Sequence, residues 1–179
     1  MPTNPFPWYE AVTGDELEQG DLLDACPVFR PPDELSEWDE TAPVFFETEG
    51  RNVIVVSQAC DLVKGREKLS EVLLCPVWNL SSFRAGDHLS TVKGREEARR
   101  GMLPNLHMLA GCSLPGLERD IRIVDFRQVF SLPVAFTRQQ AERSDSRLRL
   151  LPPYREHLAQ AFARFFMRIG LPLDIPPFR

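Results

Sequence analysis

No run in the chain approaches the roughly 18 apolar residues needed to cross a bilayer, so no membrane-spanning helix is expected. The N-terminus, Met1-Pro2-Thr3-Asn4-Pro5-Phe6-Pro7-Trp8, lacks a basic end followed by an apolar core and does not read as a secretory signal. A cytoplasmic location is the expectation, with the four cysteines reduced. Those cysteines form no C-x2-C pair, and no H-x3-H pair is present, so the usual spacings of structural zinc are missing and no cofactor is expected. Internal repeats and low-complexity segments are absent as well.

Positive charge is scarce in the first part of the chain. Residues 1–50 hold thirteen acids and one basic residue, Arg30, for −12, whereas residues 51–179 hold thirteen acids and twenty basic residues, for +7. The plain reading is that the acidic segment lies against the basic remainder, within one protomer or across a dimer. The sharper reading is a basic surface for an anionic partner, with the acidic segment competing for it.

What is present suits one domain spanning residues 1–179, long enough to bury about two-thirds of its unfolded surface. The chain centres on Arg51-Asn52-Val53-Ile54-Val55-Val56-Ser57-Gln58-Ala59-Cys60-Asp61, four β-branched residues running into a polar cluster. Residues 1–18 read as an irregular arm with a turn of helix, anchored by Trp8 and Tyr9. A first strand covers 22–29, with Pro27 marking an edge or bulge. Residues 30–43 read as an acidic surface loop. Val44-Phe45-Phe46 reads as a second strand, turning at Thr48-Glu49-Gly50-Arg51 into the central strand. Glu71–Val77 reads as a strand buried on both faces.

Residues 90–100 read as a helix capped by Ser90 or Thr91, with Gly94 weakening it. Short strands follow at 105–109, at 121–126 (half exposed, by its alternation) and around Val129-Phe130, broken by Pro133. Arg147 to Leu151 alternates basic and apolar residues. The last helix starts at Pro153 and stops at Gly170 and Pro172, with Leu158, Phe162, Phe165, Phe166 and Ile169 in one apolar stripe. Residues 170–179 read as a loose tail. The class is therefore mainly β with α (α+β). We expect a small antiparallel barrel or curved sheet, an insertion around 84–104 and an amphipathic C-terminal helix over 153–169.

Gly20-Asp21-Leu22-Leu23, then Gly50-Arg51-Asn52-Val53-Ile54-Val55-Val56-Ser57, then Leu73-Leu74-Cys75-Pro76-Val77 resemble the opening of MazF/PemK-type toxins, over about residues 20–82. The resemblance implies an SH3-like barrel, a homodimer, a prokaryotic toxin–antitoxin or defence setting and metal-independent cleavage of single-stranded RNA. Arg51 falls on the family's strand-leading arginine, which can stabilise a charged phosphorane. The family's next residue, proline, is Asn52 here. Its catalytic threonine aligns with Trp78, which has no hydroxyl, leaving Asn79, Ser81 or Ser82 to serve if the loop shifts. A scaffold with lost or changed chemistry follows: a binding or adaptor module for a protein partner or single-stranded RNA, with an endoribonuclease as the alternative.

Ser57-Gln58-Ala59-Cys60-Asp61 carries three further readings. Cys60 is a nucleophile with His88 or His107 as base and Asp61 as orienter, although an adjacent carboxylate disfavours a thiolate. Alternatively Cys60, Cys75, Cys112 and His107 gather a zinc ion. The plain reading is structural, with Asp61 accepting backbone N–H groups of the loop at 63–68 and Cys60 packed as a small buried residue. Finally, Arg84, Lys93, Arg95, Arg99 and Arg100 with Trp78 and Phe83 would make a cationic, aromatic patch for single-stranded nucleic acid. The bland counterpart is an exposed helix carrying Glu96 and Glu97.

Overall fold

The computed structural model describes residues 6–31, 43 and 45–167. Most of the acidic loop expected at 30–43, Val44 and everything after Met167 lie outside the described residues, including Ile169, Gly170, Pro172 and the tail.

The elements are β1 (Tyr9–Val12), β2 (Leu22–Arg30), β3 (Glu47–Val55), β4 (Glu71–Asn79), α1 (Val92–Arg99), β5 (Leu106–Leu109), β6 (Arg122–Asp125), β7 (Phe130–Pro133), α2 (Val134–Arg143), β8 (Arg147–Leu150) and α3 (Tyr154–Phe166). All the strand pairs are antiparallel. One sheet runs β2-β3-β4-β6-β5 without closing on itself, β7 adds to β4, and β1 pairs with β8 in a separate ribbon. The expected α+β class with a curved antiparallel sheet is what the chain adopts.

Period-two alternation places the two cores. On β3 and the residue that follows it, Ile54 and Val56 enter one cluster and Val53 and Val55 the other, because successive extended residues point to opposite faces. On β4, Cys75 and Val77 join the first, and Val72 and Leu74 the second. The first cluster is covered by the β1–β8 ribbon and by Tyr154 and Leu158 of α3. The second is covered by Val134 and Ala141 of α2, with Leu17 and Leu62. A third lies under α1, built from Leu89, Ala98 and Ile123. Each fully buried aliphatic side chain stabilises the fold by roughly 1.5–3 kcal/mol before entropy.

The β4 partners show a break. Leu74 faces Phe130 on β7, whereas Val77 faces Val124 on β6. β6 and β7 are thus one line of strand interrupted by Phe126–Val129, opposite Cys75-Pro76. Pro76 brings no N–H to the ladder, and this is where its neighbour leaves register.

Several expectations are corrected. The arm at 1–18 contains β1, paired residue for residue from Tyr9↔Leu150 to Val12↔Arg147. Glu47–Arg51 makes no turn; Gly50 sits in mid-strand opposite Pro27, and the hairpin is β2–β3. Edge strand β2 does carry a bulge, at Asp24-Ala25 beside Pro27. Ala25 takes φ 50°, and its N–H donates to Asn52 Oδ1 at 3.0 Å, a job that proline at 52 could not do. β6 is buried along its whole length, not half exposed, because β4 and β5 flank it. Helix α2 begins where Pro133 ends β7, an element that the sequence reading missed. On α3, Leu158 is buried and Phe162 and Phe165 pack on the core, but Phe166 is exposed.

Among the described residues, part of the charge asymmetry is met by ion pairs inside the protomer. Asp21 is fully buried. Its Oδ1 accepts from Arg149 Nε at 2.5 Å, and its Oδ2 from Arg147 Nε at 3.2 Å, Arg147 Nη2 at 3.1 Å and Arg149 Nη2 at 3.0 Å. Glu18 receives Arg149 and Arg155, Asp15 receives Lys64, and Asp24 receives Arg119. Acids from the first segment therefore hold basic residues of the later one. Gly20 allows the approach: it has φ +90°, and a Cβ there would lie 2.9 Å from Leu150 Cβ.

Candidate functional site at Arg51 and Trp78

The register Val53↔Pro76 carries on to set Arg51 level with Trp78, at the end of the β3–β4 pairing. By alternation both side chains lie on the face of Val53 and Leu74, in line with the second core. Trp78 faces Ile123 across β4–β6, and Ile123 belongs to the cluster under α1. The pair therefore occupies the strip of sheet between the part covered by α2 and the part covered by α1. Trp78 keeps 36% of its surface exposed.

The Arg51 guanidinium carbon sits 5.5 Å from the Trp78 ring centroid and 5.7 Å from that of Phe130, both within cation–π range. Its Nη1 donates to Gln128 Oε1 at 2.9 Å and its Nη2 to Glu49 Oε2 at 2.7 Å. Nε is buried without a partner. The fork is thereby fixed in orientation, with the side chain 19% exposed.

Arg51 separates two clefts. One, of about 540 Å³, is lined by Phe29, Glu49, Arg51, Gln128, Phe130 and neighbouring β2 and β7 residues. The other, of about 230 Å³, is lined by Arg51, Asn52, Trp78, Asn79 and Ser82 among others. Glu49 lines both. Phe29, half exposed, packs against Phe136 with ring centroids 5.7 Å apart. Aromatic faces, a fixed guanidinium and the amides of Gln128 and Asn79 can stack planar groups, meet a phosphate and bond to base edges. Glu49 is the one carboxylate among the described residues of both clefts.

Of the residues singled out from sequence, Arg51, Trp78, Asn79 and Ser82 are brought together. Ser82 Oγ donates to the Asn79 carbonyl at 2.7 Å, so its hydroxyl also shapes the turn. Ser81 is exposed on the same turn, Leu80–Ser82, but lines neither cleft. Arg84, Arg95, Arg99 and Arg100 do not join this site either. The Arg84 backbone N–H donates to Asp87, Arg95 Nε donates to the Leu89 carbonyl at 2.9 Å, and Arg99 and Arg100 both bind Glu96. Those two guanidiniums hold the Glu96 carboxyl down at about 2. The expected patch of Trp78 and Phe83 with these arginines is thus split. Phe83 packs into the cluster under α1.

Ser57 is buried, and its Oγ accepts the Leu73 N–H at 2.8 Å, tying the exit of β3 to β4. Gln58 is exposed and precedes a short helical turn, Ala59–Asp61. Cys60 is exposed on that turn, not packed as a small core residue. Asp61 differs from expectation too. Its carboxylate takes the Lys68 ammonium at 3.1 Å, and it is its backbone carbonyl that accepts the Lys68 N–H.

His88 pairs with Glu97 beside α1, and His107 lies against Phe126, so both histidines have their surroundings away from Cys60. Cys26, Cys75 and Cys112 are buried. Burial pushes the Cys26 thiol up to about 11, and burial together with the Asp125 charge pushes Cys75 up to about 12. Among the described residues no group of three or more His, Cys, Asp or Glu is placed to hold a metal ion. The four-ligand zinc set does not assemble, since Cys60 stands at the surface and Cys75 and Cys112 in the core.

Glu49, Gln128 and Phe130 were missed. Glu49 had a signal, standing two residues before Arg51 and so on the same strand face. Gln128 and Phe130 had none, because the break opposite Pro76 delivers them. No protein-family model matches the chain, and no curated protein matches it either. Among the described residues no helix is long and apolar enough to cross a membrane.

Proposed function

We propose that the chain is a non-catalytic module that binds single-stranded RNA at Arg51 and Trp78. In this reading it is a divergent MazF/PemK-like protein that kept a curved-sheet scaffold and an arginine, and it acts as an adaptor in a prokaryotic toxin–antitoxin or defence setting. That setting rests on the resemblance alone.

The observation that carries the binding reading is the Arg51 guanidinium held over the Trp78 and Phe130 rings where two clefts meet. A base stacks on Trp78, and its phosphate meets Arg51. Fluorescence anisotropy with labelled mixed-sequence RNA tests it. Base–aromatic stacking contributes about 1–3 kcal/mol, so Trp78→Ala should weaken binding by roughly fivefold to a hundredfold. Arg51→Ala should weaken it and flatten its salt dependence. Wild-type protein that shows no binding at low salt overturns the reading.

Endoribonuclease activity is the second reading, favoured by the Glu49 carboxylate 2.7 Å from Arg51 in both clefts. Glu49 would take the 2′-hydroxyl proton as the 2′-oxygen bonds to phosphorus, Arg51 would stabilise the phosphorane, and the P–O5′ bond would break to leave a 2′,3′-cyclic phosphate and a 5′-hydroxyl, the 5′-oxygen taking its proton from water. The same RNA run on a gel separates the two. Intact RNA supports the adaptor, and cleavage abolished by Glu49→Gln supports the nuclease.

A further inference from the structure

A third cleft lies away from Arg51, between the end of α1, β5 and α3. It encloses about 320 Å³. Its walls carry Arg99, Arg100 and Arg164 with His107 and His157, and among the described residues that line it none is acidic. In a chain of net charge −5 this is a concentrated positive wall. Apart from the Gln160 amide, its remaining lining, including Leu103, Pro104 and Ala161, carries no polar side chain.

The arginines are positioned. Glu96, which does not line the cleft, takes Arg99 Nε at 2.7 Å and Arg100 Nε at 2.6 Å. One carboxylate between two guanidiniums leaves a positive surplus, and Arg164 on α3 adds to it from across the cleft. The charge comes from guanidinium groups on two elements, not from a helix terminus. His107 supplies the second observation. Its Nε2 is buried, lacks any hydrogen-bond partner, and belongs to a residue lining the cleft. A buried polar atom without a partner is costly unless something meets it. Burial, and then the charge of His157, lowers the His107 pKa to about 4, so the ring is neutral at pH 7 and offers either one donor or one acceptor.

We propose that this cleft binds a phosphate monoester, with Arg99, Arg100 and Arg164 meeting the phosphate oxygens, His107 Nε2 completing its hydrogen bonds, and the ligand's uncharged body lying on Leu103, Pro104 and Ala161. A phosphate oxygen accepts from an Nε2–H, and a P–OH donates to a bare Nε2, so either tautomer is satisfied. The phosphate has two sources, a free nucleoside monophosphate or the 5′ end of an RNA strand. The site is independent of the Arg51 reading, since no residue is shared.

The test is a titration of full-length protein with inorganic phosphate, adenosine monophosphate, and a short RNA carrying a 5′-phosphate or a 5′-hydroxyl. Calorimetry and the imidazole NMR signals of His107 and His157 are the readouts. Adenosine monophosphate should bind, inorganic phosphate should compete, and both histidine signals should move. Arg100→Gln with Arg164→Gln should weaken binding by about tenfold or more for each guanidinium removed. Arg66→Gln, which removes an exposed guanidinium that lines none of the three clefts, should leave it unchanged, so that the loss is assigned to this cleft and not to a drop in overall positive charge.

Selective binding of the 5′-phosphorylated RNA assigns the strand end, and equal binding of the free nucleotide assigns the small ligand. Absence of binding by every phosphate probe overturns the proposal. So does binding that the double variant retains at full strength.

Discussion

Replacing Asp21 by Asn should be among the most damaging single changes in this chain. The carboxylate is fully buried between Arg147, whose side chain is 2% exposed, and Arg149, at 10%. Asn keeps the shape but removes the charge, and it turns an amide N–H toward guanidinium donors. Two buried cations would then share one neutral amide oxygen, the Gly14 and Glu16 carbonyls and, for Arg149, the Glu18 carboxylate. Removing one partner of a buried ion pair costs about 3–5 kcal/mol. Domains of this size are typically stable by only about 5–15 kcal/mol, so much of the margin disappears.

Urea unfolding followed by tryptophan fluorescence measures the loss. With a slope of about 1–3 kcal/mol/M, the midpoint should fall by roughly 1–3 M or more. The companion variant Asp21→Leu, Arg147→Met, Arg149→Met removes all three charges together and should be more stable than Asp21→Asn, since unpaired buried charge is the main penalty. An unfolding free energy for Asp21→Asn within about 1 kcal/mol of wild type would refute the reasoning. A triple variant no more stable than the single one would refute the attribution to charge.

Three other expectations are cheaper to check. Gly94→Ala should destabilise the protein despite alanine's better helix propensity, because a Cβ there would lie 2.0 Å from the His88 carbonyl oxygen; an unchanged melting temperature would contradict this. In thiol titration with a chromogenic disulfide, native protein should release about one equivalent from exposed Cys60 and denatured protein all four, and Cys60→Ser should remove the native signal. In phosphate-free buffer His107 should make the fold acid-sensitive. Its folded pKa of about 4 lies below the ordinary 6.5, so the unfolded chain takes up the proton first and stability falls as pH drops from about 6.5 to 4. The loss reaches at most about 3 kcal/mol, and His107→Gln should flatten the pH profile relative to wild type. Parallel profiles would sink that assignment.

Local signals were enough for the elements they govern. The β-branched run Val53–Val56 specified a buried strand, Thr91 a helix cap that accepts the Gly94 N–H, and Pro153 the start of α3. The period-two position of Glu49 and Arg51 on one face was there to be read. The excess of acid before residue 50 and of base after it foretold the pairing of the two segments, though not which residues pair. A hairpin turn at 48–51 was inferred wrongly, because Gly50 fits a mid-strand site opposite Pro27 as readily as a turn.

Other features depend on partners distant in sequence. Arg147 and Arg149 alternate with leucines as an exposed edge strand would, yet both are buried, because Asp21 waits more than 120 residues earlier. Gln128 and Phe130 reach Arg51 only because the strand facing β4 breaks opposite Pro76. The three-arginine cleft needs α1 and α3 side by side. Residue type and spacing settle what a segment can form, since propensity and alternation act over a few residues. Which charges are buried, and which side chains share a cleft, is settled by long-range pairing that only the folded chain brings about.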